Sequence, residues 1–118
     1  MNIIGDVAGR TCIMVDDIID TGGTLMAGAQ ALVDAGAKEV YAAATHPLFS
    51  DNAIVRLQQS AIKKVVVTNT VVIEDLKKYD KITQLSIGQL LGRAVINIID
   101  DEPISQIFEQ IYETHKEE

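Results

Sequence analysis

The sequence predicts an α/β fold: three layers, a mostly parallel sheet with helices on both faces, and an amino-terminal β-hairpin. Two observations carry that prediction. The runs TCIMVD (11–16), EVYAAAT (39–45) and VVVT (65–68) are apolar at nearly every position, as strands buried on both faces are. They alternate with segments whose apolar residues recur at helical spacing, the arrangement that crossover helices between parallel strands require. A third observation sets the scale: 118 residues, 47% of them hydrophobic and without a low-complexity tract, suit one domain spanning 1–118.

Residues 2–6 (NIIGD) and 11–16 (TCIMVD) are both β-prone and flank VAGR, which predicts the hairpin, with the second, more apolar strand central in the sheet. In the next segment Leu25, Met26, Ala29, Leu32 and Val33 share one helical face, and Gly36 supplies the stop. After the strand at 39–45 and the loop HPLFS, Ser50 or Asp51 is placed to cap a helix carrying Ala53, Ile54 and Leu57. A polar EDLKKYDK segment separates the strand at 65–68 from a short strand at ITQL (82–85). Ser86 is placed to cap a helix bearing Leu90, Leu91, Ala94, Val95 and Ile98. A last helix starts near Pro103 with an apolar stripe at Ile104, Ile107, Phe108, Ile111 and Tyr112.

The charge balance narrows the function classes. Ten Lys and Arg against 17 Asp and Glu give a formal charge of −7, and the basic residues are scattered, which argues against a nucleic-acid partner. No apolar run is long enough to span a bilayer and no secretory signal layout opens the chain, so a soluble, cytoplasmic protein is expected. Cys12 stands alone inside an apolar run, as a small core residue of a reducing compartment would.

The stretch VDDIIDTGGT (15–24) is the chemical feature of the chain. Two carboxylates about 4 Å apart repel by roughly 4 kcal/mol at an effective dielectric of ~20, so Asp16, Asp17 and Asp20 are a costly choice unless donors or positive charge face them. The stretch follows a strand and opens a helix, the position at which open parallel sheets bind ligands. Gly22 and Gly23 let backbone N–H groups approach an anion, and Thr21 and Thr24 add hydroxyl donors at a helix N-terminus. A helix dipole gives an anion ~0.3–1 kcal/mol, whereas each hydrogen bond to a charged group gives ~1.5–3 kcal/mol. The donors therefore dominate, and a phosphate fits them. The aspartates would face a hydroxyl-bearing or metal-bound part of the same ligand, as a sugar phosphate with magnesium provides. The bland alternative is a capped helix with solvated carboxylates. A Walker loop and a dinucleotide fingerprint are excluded by the absent GKT/GKS and GxGxxG spacings. A receiver-type acidic pair lacks its later aspartate, because EVYAAAT runs into His46.

In its order of residues, VDDIIDTGGT resembles the phosphoribosyl-diphosphate (PRPP) binding motif of the phosphoribosyltransferase fold. The wider segments GDVAGRTCIMVDDIIDTGGTL, GAKEVYAAATHPLFS, VVVTNT, QLSIGQLLGRA and ISQIF are similar, in the same order, to the carboxyl-terminal part of the ribose-phosphate pyrophosphokinase family. The resemblance implies a kinase-type transferase of nucleotide biosynthesis that moves diphosphate from Mg-ATP to ribose 5-phosphate. It assigns Asp20, Thr21, Gly22, Gly23 and Thr24 to the 5-phosphate, Asp16 to a ribose hydroxyl and Asp17 to the neighbouring hydroxyl and cation network. It implies Mg2+ for the full enzyme, with no metal ligand identified, and a homo-oligomer.

The family's ATP-binding amino-terminal domain, its diphosphate-side loop and its Lys-Arg catalytic loop find no match in these residues. The resemblance therefore implies a domain truncated on its amino-terminal side, without catalytic residues and without activity alone. Lys38, Lys63 and Lys64 read as surface charge, His46 as a packed or backbone-bonded histidine, and His115 as tail. Ser105 and Phe108 match an allosteric phosphate and ADP site of relatives, from which Pro103 departs where a serine is usual. Asp51 replaces the glycine usual after FS, with no chemical effect evident from sequence. Two alternatives remain: a phosphoribosyltransferase, for which no base-recognition hood is found, and a non-catalytic relative that associates with the synthetase.

Overall fold

The computed structural model describes residues 3–116, with side chains described for 3–111. Asn2 of the expected hairpin and the side chains of Tyr112 and His115 lie outside the described residues. The chain divides into two compact units, Met1–Leu85 and Ser86–Glu118.

The first unit holds the sheet. Its elements are β1 (Thr11–Ile19), α1 (Gly23–Asp34), β2 (Glu39–Pro47), α2 (Ala53–Gln59), β3 (Ile62–Thr68), a short 3-10 turn (Leu76–Lys78) and β4 (Ile82–Leu85). The four strands lie in the order β1-β2-β3-β4, every pair parallel. The α/β parallel fold read from the sequence is present, and the order follows from successive crossovers of one hand.

One core sits between the sheet and α1 and α2, which pack on the same face. Val40, Ala42, Ala44, Ile62, Val65 and Val67 from the strands meet Leu25, Ala29 and Leu57 from the helices. The alternate residues of β1 face the other way, and Ile13 and Val15 are 69% and 80% exposed. Within this unit the second face of the sheet is open.

Two details of the amino-terminal region correct the sequence reading. There is no hairpin: residues 3–10 form no strand. Gly5 and Gly9 adopt φ of 99° and 70°, which ends any extended run. The Asp6 carboxylate accepts the Ala8 N–H, and the Gly9 N–H goes to the Gly36 carbonyl beyond α1. This segment spends its donors on a turn docked at the end of α1. Consequently β1 is an edge strand, not a central one, because among the described residues only β2 pairs with it.

α1 ends as its Gly36 predicts. Gly36 takes φ 100°, and the Ala37 N–H reaches back to the Leu32 carbonyl at 3.0 Å. The N-cap of α2 is Asn52 rather than Ser50 or Asp51, and no side chain bonds there. Asp51 instead occupies the left-handed region at φ 55°.

The second unit holds α3 (Gly88–Ile99) and α4 (Ser105–Lys116). The N-cap of α3 is Ile87 rather than Ser86, with no side-chain cap bond, and Ser86 Oγ instead accepts the Gly88 N–H at 3.1 Å from one residue earlier. Asp101, at φ 58°, ends it, with the Glu102 N–H bonded to the Asn97 carbonyl at 2.8 Å. The Asn97 amide also donates to the Pro103 carbonyl, fixing the turn into α4. Of the expected stripe on α4, Ile107 is buried while Ile104 and Phe108 are exposed.

Candidate functional site

The glycine loop forms where β1 gives way to α1. Asp16 and Asp17 are still strand residues, paired with the ladder of β2 up to Ile19, so the acidic pair is held by the sheet and only 20–22 form the loop itself. Ile19 is buried in the core and anchors the strand end. The segment after β2 ties down the loop from the other side: Phe49 N–H bonds the Ile19 carbonyl and Ser50 N–H the Asp20 carbonyl, both at 3.0 Å.

Gly22 is the N-cap of α1, at φ 76° and without a side-chain cap bond. A Cβ placed there would lie 2.5 Å from Met26 Cε, whereas one at Gly23 would meet nothing within 4 Å. The two glycines thus differ in role. Gly22 serves the backbone conformation, and Gly23 keeps space clear in front of the helix start.

That space is a cavity of about 200 Å³ lined by Asp16, Ile18, Ile19, Asp20, Thr21, Gly22, Gly23, Thr24 and Leu25. Six of the seven loop residues singled out from the sequence line it; Asp17 does not. Asp17 stands beside the cavity, its N–H bonded to Asp16 Oδ1 at 2.8 Å. Hydrogen bonding with the Asp16 side chain holds the Asp17 carboxyl below the usual carboxylate range, helped by the backbone N–H groups of Ile18 and Asp17 and by the charge of His46.

Sequence reasoning missed the threonines at the neighbouring strand ends, and His46, expected to be packed or backbone-bonded, bonds a side-chain hydroxyl instead. His46 lies opposite Ile18 in the ladder, and its Nδ1 is 2.8 Å from Thr70 Oγ1. The Thr70 and Thr68 hydroxyls both donate to the Thr45 carbonyl, at 3.3 and 2.6 Å. Which of the two carries the hydrogen of the His46–Thr70 bond depends on the imidazole tautomer. A second cavity, of about 240 Å³, opens on the bare face of the sheet between Val15, Asp16, Ala43, Thr45, Val66 and Thr68. Asp16 borders both cavities. The threonines at the ends of EVYAAAT and VVVTNT were the available signal, but their convergence depends on register.

Among the described residues no group of three His, Cys, Asp or Glu side chains is placed to hold a metal ion. The acidic stretch therefore does not build a protein cage. One or two of its carboxylates suit a magnesium ion that keeps most of its contacts to water and substrate phosphates. Ser105 and Phe108 belong to the second unit, at the start and first turn of α4, and both are exposed. Among the described residues no helix is long and apolar enough to cross a membrane.

The family model described as phosphoribosyl synthetase-associated domain matches residues 1–109. Ribose-phosphate pyrophosphokinase from Bacillus cereus is 51% identical over 108 residues, covering 92% of this chain and 34% of the relative. The Corynebacterium ammoniagenes enzyme of the same name is 50% identical, with the same coverage. The crystal structure of phosphoribosylpyrophosphate synthetase from Mycobacterium smegmatis superposes with a TM-score of 0.79 at 43% identity, covering 83% of this chain and 33% of that one. The chain spans about a third of the length of the curated relatives it matches.

Proposed function

The chain belongs to the phosphoribosyl synthetase-associated domain family, and from that premise we propose that it is the carboxyl-terminal, sugar-phosphate-binding part of a ribose-phosphate pyrophosphokinase. One observation carries this reading: Asp16, Asp20, Thr21, Gly22, Gly23 and Thr24 line a single cavity at the start of a helix. Its size suits a phosphate and the adjoining sugar edge.

In the parent reaction the anomeric oxygen of ribose 5-phosphate attacks the β-phosphorus of ATP. The bond from that phosphorus to the α–β bridging oxygen breaks, AMP leaves, and the hydroxyl proton is lost. The residues of this chain bind and orient the acceptor. The N–H groups of Gly22, Gly23 and Thr24, with the hydroxyls of Thr21 and Thr24, take the 5-phosphate. Asp16 and Asp17 accept hydrogen bonds from the ribose hydroxyls and fix the anomeric oxygen's direction. Asp16 or Asp17 would hold a magnesium ion, which would supply charge neutralisation for the donor phosphates.

Donors for ATP come from outside these residues, so the chain alone binds acceptor and does not turn over. Ser105 and Phe108 are the positions for an effector phosphate. The protein acts in the cytoplasm, as an oligomer, on small phosphorylated substrates, with neither membrane nor nucleic acid as partner. The description of the matched family as synthetase-associated favours a second reading, a non-catalytic partner of the synthetase, which shares the acceptor site.

Titrating ribose 5-phosphate into 15N-labelled protein tests the reading. Amide shifts concentrated at 20–25 are expected, with no AMP released when ATP is added. Shifts scattered over the chain, or none at millimolar ligand, would falsify the acceptor site. AMP release abolished by Asp20→Ala would refute the assignment of catalysis to other residues.

A further inference from the structure

The segment between β2 and α2 is pinned at both ends and strained in the middle. Pro47 and Ala53, which bound it, are fully buried. Between them Phe49 and Asp51 hold the left-handed region, at φ 46° and 55°. A bulky residue stays there only where its surroundings over-determine it, and such positions gather at ligand clamps. The side chain is what holds Phe49. It is half-buried and packs against the core cluster, as do Ile54 and Tyr79. The same three residues line both of two cavities beside α2, of about 400 and 200 Å³.

The backbone of this segment acts on the glycine loop. The Phe49 and Ser50 N–H groups donate to the Ile19 and Asp20 carbonyls, both at 3.0 Å. In a trans peptide the carbonyl and the following N–H point in opposite directions, and no peptide among the described residues is cis. Carbonyls turned toward 49–50 therefore turn the Asp20 and Thr21 N–H groups away from it. That is the side of the loop cavity, which Asp20 and Thr21 line and neither Phe49 nor Ser50 does.

We propose that Phe49 is a positioning residue of the phosphate loop: its anchored ring holds the strap 49–50, and the strap sets the direction of the loop's N–H groups. Phe49 touches no ligand in this role. The proposal rests on the sugar-phosphate reading of the loop and names what keeps that site in shape before the ligand arrives. Without the ring nothing offsets the left-handed conformation, so residues 48–52 relax and the two strap bonds loosen. The loop must then order itself on binding, which lowers affinity while the fold remains.

Ribose 5-phosphate titrations of 15N-labelled variants, with hydrogen exchange of the Ser50 amide followed in the same samples, test the proposal. Phe49→Ala should raise the dissociation constant about tenfold or more, as the loss of a well-aimed bond to a charged group does. It should also speed exchange at Ser50 well beyond any change at the β3 amides. Phe49→Leu, which still fills the space with an apolar side chain, should stay near the parent in both. Leu57→Ala weakens the same core from α2 without touching the strap and should leave binding near the parent. Circular dichroism checks folding, and if Phe49→Ala does not fold, Ile54→Ala removes a neighbour of the ring and should move binding and Ser50 exchange the same way by less. Unchanged binding in the variant that folds, weakened binding with Ser50 exchange as in the parent, or an equal loss in Leu57→Ala would each overturn the role of Phe49 alone. A parent without shifts at 20–25 would overturn the acceptor site and this role with it.

Discussion

The Asp17 N–H donates to Asp16 Oδ1 at 2.8 Å, so the acidic pair is organised by its own backbone before any ligand arrives. That bond ties the Asp16 carboxylate to the backbone of its own strand.

The pair should show this in its titration. The Asp17 carboxyl lies below its ordinary 3.8, first through hydrogen bonding with Asp16 and last through the charge of His46. A depressed folded-state pKa contributes stability that is present above the unfolded value and lost as pH falls through the folded one. The loss therefore falls in the acid range, below the ordinary carboxylate value. Carbonyl-detected NMR titration should find Asp17 titrating low in the parent protein and returning toward 3.8 in Asp16→Ala. His46→Gln should move it the same way by less. An unchanged Asp17 in Asp16→Ala would contradict the coupling.

The two glycines of the loop should separate stability from binding. Gly22→Ala forces a side chain to φ 76° and displaces the Met26 methyl, costing about 1–2 kcal/mol. Gly23→Ala meets open space at a helical position and should leave urea unfolding within about 0.5 kcal/mol of the parent. Its added methyl should nevertheless weaken ribose 5-phosphate binding by occupying the approach to the helix start. Equal losses of stability in the two variants would refute the distinction.

Asp51 offers a stabilising change. Relief of its left-handed conformation should gain about 1–2 kcal/mol, against about 0.5–1 kcal/mol of added chain entropy for glycine. Asp51→Gly is expected to raise the denaturation midpoint modestly, and a lowered midpoint would show that the carboxylate has a compensating contact.

Leu57 tests the core. It is fully buried between α2 and the sheet, and Leu57→Ala should destabilise by about 2–5 kcal/mol, depending on how far the site collapses. A loss under about 1 kcal/mol, the range of a surface substitution, would mean that α2 contributes little to this core.

Much of the fold was legible because its signals are local. Continuous apolar runs marked β1, β2 and β3, helical spacing marked α1 and α3, and Gly36 marked the stop of α1. The misreadings came where tertiary partners override a local preference. NIIGD has strand composition, yet Gly5 and Gly9 turn it away and Gly36 takes its backbone bond. TCIMVD reads as central because it is apolar at successive positions, but apolarity reports how faces are buried, not how many strands lie beside them. The sequence reading ended that strand at Asp16, while pairing of Ile18 and Ile19 with β2 carries it on through Ile19.

By itself the sequence determined the α/β class, the strand–glycine–helix unit at 11–34 and the chemistry of its donors. These depend on residue type and on spacing along one continuous segment, where backbone conformation and helix start are set by neighbours. Only the tertiary structure decided that β1 is an edge among the described strands, that Asp17 stands outside the loop cavity, and that His46, Thr68 and Thr70 gather at the neighbouring strand ends. Each of these rests on the register of parallel strands joined by crossovers, and a crossover fixes which residues meet only once the helices between them have packed.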